Sequence, residues 1–219
     1  TYNSTATEGN AFTLGETAFV LSEDLAISGK PLKDHRDVEG HAYAVDVLYR
    51  VVGKSEMTTA DLFDLHKLVI SDRILDAHKP SGAWKRENNR TNTTVGGRQT
   101  MIEYSNHREV PELMKCWFDI RNRELQSSKE RQGVLKAYAR RYLSFVAIHP
   151  FWDGNGRIAR LVSNLPCLKA GYPPIIMAKK KRDDYLTALA EYQLAHGLPS
   201  LNTVLVQEGA LLDRFRTFC

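Results

Sequence analysis

The stretch HPFWDGNGRIAR, at residues 149–160, places glycines and polar side chains between two apolar runs. We expect a loop followed by a helix whose N-terminus offers free backbone N–H groups and the positive end of its dipole. Gly154 and Gly156 let the backbone approach a phosphate closely, and Asn155 tolerates left-handed geometry and adds an amide donor. The pattern predicts an anion-binding site.

The charged residues of the same stretch indicate what the anion is. Arg157 and Arg160 are three residues apart and share a helix face, so two guanidinium groups beside one anion favour a polyphosphate. Asp153 would repel that phosphate unless Mg²⁺ lay between them. His149 can accept a proton near neutral pH, and Phe151 is expected to anchor the loop in the core. These residues predict phosphate or nucleotide transfer, with His149 as general base.

Helical periodicity dominates the rest of the chain and supplies the elements that hold this loop. Thr58 and Asp61 form a candidate cap, and Pro111 suits a first helical turn. We expect helices at residues 40–52, 60–70, 110–120 and 134–148 before the loop, and at 158–168, 183–197 and 201–218 after it.

One segment breaks the helical pattern. Residues 87–106 carry β-branched side chains on both sides of Gly96 and Gly97, with Val95 directly before the pair. This predicts a short hairpin, or flap, in an otherwise all-α protein. A polar surface loop is the alternative.

Composition favours one domain over residues 1–219, because 42% of the residues are hydrophobic and no linker-like segment divides them. The net charge is only +4, from 30 basic and 26 acidic residues. Its basic clusters, 140–141 and 179–182, are typical of a solvated face, so nucleic acid is expected to be bound only through a domain outside this chain. Three widely spaced cysteines fit a reducing, cytoplasmic compartment, and we expect no membrane span and no signal peptide.

The loop resembles the signature of the Fic family, HxFx(D/E)GNGRxxR, at every specified position. The similarity extends to the flanking helices, the hairpin and residues 110–114, so it covers most of the chain. It implies the Fic fold, an α-helical bundle with a short β-hairpin flap. The matching residues are His149, Phe151, Asp153, Gly154, Asn155, Gly156, Arg157 and Arg160.

This resemblance implies transfer of AMP from ATP to a Ser, Thr or Tyr hydroxyl of a target protein, with release of pyrophosphate. Doc-type relatives, which transfer phosphate, carry a lysine where this chain has Gly156, so AMP transfer is favoured. The motif leaves open another nucleotide donor or a phosphocholine donor.

The resemblance also implies a role for each residue. His149 deprotonates the acceptor, Asp153 holds Mg²⁺ or, alternatively, Mn²⁺, and Gly154, Asn155 and Gly156 bind the phosphates. Arg157 and Arg160 hold the β- and γ-phosphates, and the flap at Val95, Gly96 and Gly97 registers the target by backbone pairing. Tyr185 and Gln193 are candidates for the adenine pocket, although core packing explains Tyr185 equally well.

The first residues, TYNSTATEGN, add a second feature. Ser4 and Glu8 are four apart on one helix face, and Gly9 would end that helix. Residues 1–12 therefore resemble the inhibitory helix of Fic proteins, with the motif (S/T)xxxE(G/N). The resemblance implies that Glu8 pairs with Arg160 and competes with the γ-phosphate of ATP.

Two other functions remain open on the sequence. Some relatives use the inhibitory glutamate to position a water that removes AMP from a modified target. A nucleotide-dependent binding module that retains the fold without catalysis is the non-enzymatic alternative. The resemblance also implies a homodimer as an alternative to a monomer.

Overall fold

The computed structural model describes residues 1–70, 79–124 and 130–219. Within these ranges the chain is mainly helical with one two-stranded antiparallel hairpin, which confirms the predicted fold class. The helices are α1 (Tyr2–Thr7), α2 (Leu14–Glu23), α3 (Leu32–Val52), α4 (Thr59–Val69), α5 (Val110–Glu124), α6 (Arg131–Ile148), α7 (Asn155–Val162), α8 (Leu165–Lys169), α9 (Arg182–His196) and α10 (Ala210–Arg216), with a 3₁₀ turn at Lys179–Lys181.

Helix α6 lies at the centre of the core. Its C-terminal half is buried on every side, from Arg141 to Ile148, as expected for a helix whose apolar and small residues are not confined to one stripe. It contacts α5, α7, α8 and α10. Because α6 ends at the start of the predicted catalytic loop, a helix buried in the core holds that loop.

The predicted helices before the loop are confirmed, but two features upstream were missed. Helix α2 was not predicted, although Thr13 and Glu16 form a capping box that marks its start. Helix α3 begins at Leu32, eight residues before the predicted start. Its first turns look polar because they bury acidic and histidine side chains that bond to distant segments, a contact that periodicity cannot reveal.

Two predictions after the loop need correction. The expected helix at 158–168 is divided into α7 and α8, and Pro166 lies at the start of α8, where its missing N–H is tolerated. The expected helix at 201–218 is helical only at Ala210–Arg216. Residues before it include Gly209 at φ 139°, a conformation outside the helical region.

The hairpin comprises β1 (Arg90–Val95) and β2 (Arg98–Glu103), inside the predicted 87–106. Pairing runs from Arg90 opposite Glu103 to Val95 opposite Arg98. Gly96 and Gly97 have φ of 57° and 78°, which is the backbone that a two-residue primed turn requires.

The basic cluster at 140–141 does not form the solvated face that was expected. Arg141 is 1% exposed, and Arg140 forms an ion pair with Glu208. Lys179, Lys180 and Lys181 are exposed as predicted. In the part of the chain that the structure describes, no helix has the length and apolar character needed to cross a bilayer.

Candidate active site

The loop between α6 and α7 is held in shape by Asn155, the first residue of α7. The Asn155 Oδ1 accepts from the Phe151 N–H at 2.9 Å, and its Nδ2 donates to the Phe151 carbonyl at 2.8 Å. At the end of this loop Gly154 has the left-handed backbone, with φ 76°, and not Asn155, which is the first residue of α7. A Cβ at Gly154 would also lie 2.9 Å from the Ile70 Cδ1. Asn155 therefore shapes the turn with its side chain, and any phosphate contact from it would use the backbone.

Two residues that the sequence analysis missed brace this loop from the segment before the flap. Lys85 is 2% exposed, and its Nζ donates to the Asn89 Oδ1 at 2.8 Å and to the Ile148 carbonyl at 3.4 Å. Asn89 in turn donates from Nδ2 to the Phe151 carbonyl at 3.0 Å. A lysine in a loop gives no sequence signal for burial, so only the fold reveals this brace.

His149 is oriented with one ring nitrogen fixed. It sits at the C-terminus of α6 with φ 53°, its ring stacks on Tyr104 with centroids 3.5 Å apart, and its Nδ1 lies 3.2 Å from the Val146 carbonyl. Burial, with a smaller effect of the Lys85 charge, lowers the pKa of His149 to about 3. The imidazole is therefore neutral, and because Nδ1 donates to the carbonyl, Nε2 carries the lone pair.

A buried histidine holds the loop from α4. His66 stacks on Phe151 with ring centroids 3.8 Å apart. Its Nδ1 accepts from the Gly82 N–H at 2.8 Å, so its Nε2 donates to the Asp153 carbonyl, which lies at 3.0 Å. Phe151 is fully buried and is the anchor that was predicted.

The free energy of unfolding is expected to decrease as the pH is lowered, because of His66. Burial is the main cause that lowers its folded pKa to about 4, whereas an unfolded histidine titrates near 6.5. The stabilisation is complete above about pH 6.5 and is lost as pH falls towards about 4, since only the unfolded chain takes up the proton. At about 1.4 kcal/mol per pH unit, this amounts to about 3 kcal/mol.

Urea denaturation at several pH values checks this expectation. The His66→Gln variant, which cannot titrate there, should show a shallower loss of unfolding free energy between about pH 6.5 and about pH 5. Parallel pH dependences in the two proteins would contradict it.

Arg157, on the first turn of α7, forms a buried ion pair. The Arg157 Nη1 donates to the Asp37 Oδ1 at 3.0 Å and to the Val69 carbonyl at 2.9 Å, and its Nη2 is 3.5 Å from the Asp153 Oδ2. Asp153 itself has 70% of its side chain exposed. Asp37, which sequence reasoning missed, therefore orients Arg157, and the Asp153 carboxylate remains open to solvent.

The second arginine is bonded to α1. The Arg160 Nη2 donates to the Glu8 Oε1 at 2.6 Å and to the Ser4 carbonyl at 3.1 Å, and its Nε donates to the Ser4 Oγ at 3.0 Å. Arg160 is 6% exposed, so these are desolvated, charge-assisted bonds. The structure thus brings Ser4 and Glu8 to Arg160, which follows them by about 150 residues in the sequence.

The Glu8 carboxylate also covers the start of α7. A Cβ built on Gly156 would lie 2.9 Å from the Glu8 Oε1 and 3.3 Å from the Arg160 Nη1. Glu8 caps α1, and Gly9 follows with φ 93°, the conformation that ends a helix at glycine. The cradle expected to hold phosphate therefore has a carboxylate beside it.

Helix α1 is held in place at its C-terminal end. The Arg182 Nε donates to the Thr7 carbonyl at 2.7 Å, and the Asn10 Nδ2 donates to the Asp34 carbonyl at 2.9 Å. A six-residue helix is too short to be stable alone. These contacts, together with Arg160, give it its position.

Of the two candidates for the adenine pocket, Tyr185 lies inside the core, and Gln193 lies beside a different cavity. Tyr185 is 3% exposed, its hydroxyl is 2.9 Å from that of Tyr142, and it accepts from the Arg160 Nη1 at 3.4 Å. This favours the packing alternative for Tyr185. Gln193 is half-buried and lines a separate small cavity with Tyr192, His196 and Leu205.

Comparison with known proteins agrees with this geometry. Residues 56–167 match the Fic/DOC family. The chain is 32% identical over 187 residues to protein adenylyltransferase Fic of Drosophila willistoni, covering 84% of this chain and 34% of that protein. It is 31% identical over 219 residues to protein adenylyltransferase fic-1 of Caenorhabditis elegans, covering 98% of this chain and 40% of that protein.

Solved structures give the same result. A Fic domain containing signalling protein from Bacteroides thetaiotaomicron superposes with a TM-score of 0.84 at 25% identity, covering 99% of this chain and 78% of that one. Fic-1 (aa134–508) from C. elegans superposes with a TM-score of 0.75 at 26% identity, covering 99% of this chain and 57% of that one. The chain spans about a third to two fifths of the length of the curated relatives. Since the family match covers just over half of its residues, the chain belongs to the Fic/DOC family.

Proposed function

We propose that this chain is a self-inhibited protein adenylyltransferase, which moves AMP from ATP to a Ser, Thr or Tyr hydroxyl of a target protein. The observation that carries the proposal is the bonding of Arg160 to Glu8 and Ser4. A guanidinium beside a glycine-rich helix start is suited to a polyphosphate. Glu8 binds the same guanidinium, so Arg160 would serve both ATP binding and self-inhibition.

The chemistry assigns one task to each group. The His149 Nε2 removes the proton from the acceptor hydroxyl, whose oxygen attacks the α-phosphorus of ATP. The bond from that phosphorus to the bridging oxygen breaks, and pyrophosphate leaves. Backbone N–H groups at Gly154–Gly156 and the Arg160 guanidinium stabilise the phosphate charge. The Tyr104 stack keeps the imidazole oriented for the attack.

Asp153 fits a role in holding Mg²⁺. Its carboxylate is largely exposed beside the loop, and Mg²⁺ in such enzymes is commonly bound by one or two carboxylates together with substrate phosphates. Across the described ranges, no cluster of three or more His, Cys, Asp or Glu residues is arranged to hold a metal by itself. The ion, when bound with ATP, would neutralise phosphate charge during transfer.

The flap is proposed to register the target. Both strands of the hairpin are mostly exposed, and an exposed strand edge can pair with an extended peptide. Val95 and Ile102 of the hairpin, and Tyr104 directly after it, pack with Ala190 of α9. A target segment paired there would lie beside Tyr104 and hence close to the His149 ring that Tyr104 stacks on.

Removal of AMP is the second candidate, and the exposure of Glu8 supports it. Glu8 has 41% of its side chain exposed, and its Oε1 binds Arg160. Among the residues that the structure describes, no hydrogen bond is made by its Oε2, so that oxygen could orient a water towards a phosphate. Glu8→Gly would then abolish the removal of AMP instead of raising AMP incorporation.

Label position in ATP tests the reaction class. We expect the Glu8→Gly variant, with ATP and Mg²⁺, to incorporate label from the α-phosphate into protein, because AMP carries that phosphorus. Label on the γ-phosphate should leave with pyrophosphate. Incorporation of γ-label would overturn AMP transfer in favour of phosphate transfer, and loss of AMP from a premodified protein by the unmutated chain would favour removal.

A further inference from the structure

The proposed general base, His149, has a backbone conformation that its surroundings must hold. Its φ is 53°, in the left-handed region that residues other than glycine seldom adopt. A residue in that region persists where neighbouring contacts fix it, and such residues are concentrated at active sites. The contacts made by the residues on either side of His149 therefore determine how its ring is aimed.

Lys85 bonds to the carbonyls of the residues before and after His149. Its backbone N–H donates to the Pro150 carbonyl at 2.9 Å, and its Nζ donates to the Ile148 carbonyl at 3.4 Å. Ile148 is the last residue of α6, so its carbonyl has no partner within the helix. The ammonium group therefore lies at the negative end of the helix dipole, where a positive charge is favourable.

The Lys85 ammonium is a buried charge without a carboxylate partner in the part of the chain that the structure describes. Its Nζ makes its other bond to the Asn89 Oδ1 at 2.8 Å, and this acceptor is neutral. Burial lowers the pKa of Lys85 to about 8, so the group stays mainly charged at neutral pH. Buried charges are normally paired, and strongly shifted titratable groups are concentrated at functional sites. An uncompensated charge beside the base therefore points to a functional role.

This charge lies close to the ring of the base. The Lys85 Nζ is 6.0 Å from the centroid of the Tyr104 ring, and that ring stacks on His149. Of the causes that lower the pKa of His149, burial is the largest and the Lys85 charge is the next. A positive charge near an imidazole disfavours the protonated ring. Lys85 therefore helps to keep the Nε2 lone pair available for the acceptor proton.

We infer that Lys85 is a positioning residue for the general base, which it holds in the left-handed conformation through the two flanking carbonyls. The consequence for catalysis rests on the proposed transfer of AMP, in which His149 takes the acceptor proton, whereas the positioning itself does not. The bonds of Lys85 reach the carbonyls beside His149 and the side chain of Asn89, and none involves Gly156 or Arg160. Loss of Lys85 should therefore slow transfer without weakening the binding of ATP.

The state of the imidazole can be measured without any reaction. NMR of protein with isotope-labelled histidine, near neutral pH, distinguishes a ring protonated at Nδ1 from one protonated at Nε2, and His149→Ala identifies the signal. We expect the Nδ1-protonated form alone in the unmutated chain, because Nδ1 lies 3.2 Å from the Val146 carbonyl. Lys85→Met has a similar length but neither donor nor charge, so it should give a mixture of the two forms. An unchanged His149 signal in Lys85→Met would overturn the proposal.

Lys169→Met is the matched control for this variant. The Lys169 Nζ also donates to two backbone carbonyls beyond the end of a helix, those of Lys54 at 2.7 Å and Ser55 at 3.4 Å. Its loss removes similar bonds away from the loop, so His149 should keep one form. Lys85→Arg keeps a positive charge and several donors and should restore that form. Lys85→Gln, which stays polar but is one bond shorter than lysine, should give the mixture even if Lys85→Met does not fold.

Kinetics test the consequence for transfer. In the Glu8→Gly protein, Lys85→Met should lower kcat for incorporation of α-label by about 10- to 100-fold and leave KM for ATP unchanged within about twofold. When His149→Ala is also present, Lys85→Met should cause no further loss, because residues that act through one group are not additive. An equal loss with and without His149 would show that Lys85 supports only the fold. If the NMR change is seen but the Glu8→Gly parent incorporates no α-label, the proposed function fails and the positioning of His149 stands.

Discussion

Replacing Glu8 by glycine is expected to raise AMP incorporation by about 10-fold. The Glu8 Oε1 lies 2.6 Å from the Arg160 Nη2, in a pair whose arginine is 6% exposed and whose glutamate is 41% exposed. Hydrogen bonds to charged groups contribute about 1.5–3 kcal/mol each, and solvent screening of the exposed carboxylate places this one at the lower end of that range. ATP must displace this carboxylate before its γ-phosphate can bind Arg160, so its productive binding is reduced by the same free energy. Intact mass spectrometry of the protein after incubation with ATP and Mg²⁺ measures the change.

The matched control is Glu23→Gly, which removes the same charge from an exposed position in α2 and should leave incorporation unchanged. Ser4→Ala should give a smaller increase than Glu8→Gly, because it removes only the neutral bond to the Arg160 Nε. Equal incorporation by the unmutated and Glu8→Gly proteins would show that the pair does not restrain catalysis.

Local sequence was sufficient to predict the elements whose signals lie within a few residues. The Gly96–Gly97 turn has the positive φ values that such a dipeptide favours. Thr58 and Asp61 form the capping box that begins α4. The loop at 149–160 was predicted as a helix–loop–helix turn for the same reason, since its glycines and the apolar runs beside it are contiguous in the chain.

The supports of that loop could not be predicted, because each is distant in sequence. Lys85 bonds to the carbonyl of Ile148 at the end of α6, 63 residues away, and His66 bonds to the carbonyl of Asp153 in the loop, 87 residues away. Asp37 pairs with Arg157 across 120 residues. Lysine, histidine and aspartate are common on protein surfaces, so the sequence pattern predicts that these three side chains are exposed to solvent. Burial turns them into positioning groups, which is also why the polar start of α3 concealed a helix.

His149→Ala, made in the Glu8→Gly protein, is expected to lower AMP incorporation by about 10²- to 10⁴-fold, the usual contribution of a general base. The ring is held by Tyr104 and by the Val146 carbonyl, and neither contact is needed to bind phosphate. Nucleotide affinity should therefore be retained while the transfer rate falls. Labelled incorporation, compared with ATP affinity from calorimetry, separates the two effects.

His196→Ala is the matched control for this variant. His196 also bonds a helix carbonyl through Nδ1, that of Tyr192 at 2.8 Å, and packs against the Tyr192 ring with centroids 4.3 Å apart. Its loss removes similar structural contacts without removing the proposed base. Equal losses of activity in the two variants would indicate that His149 only supports the fold, and a biological effect that survives His149→Ala would favour a nucleotide-dependent binding module over an enzyme.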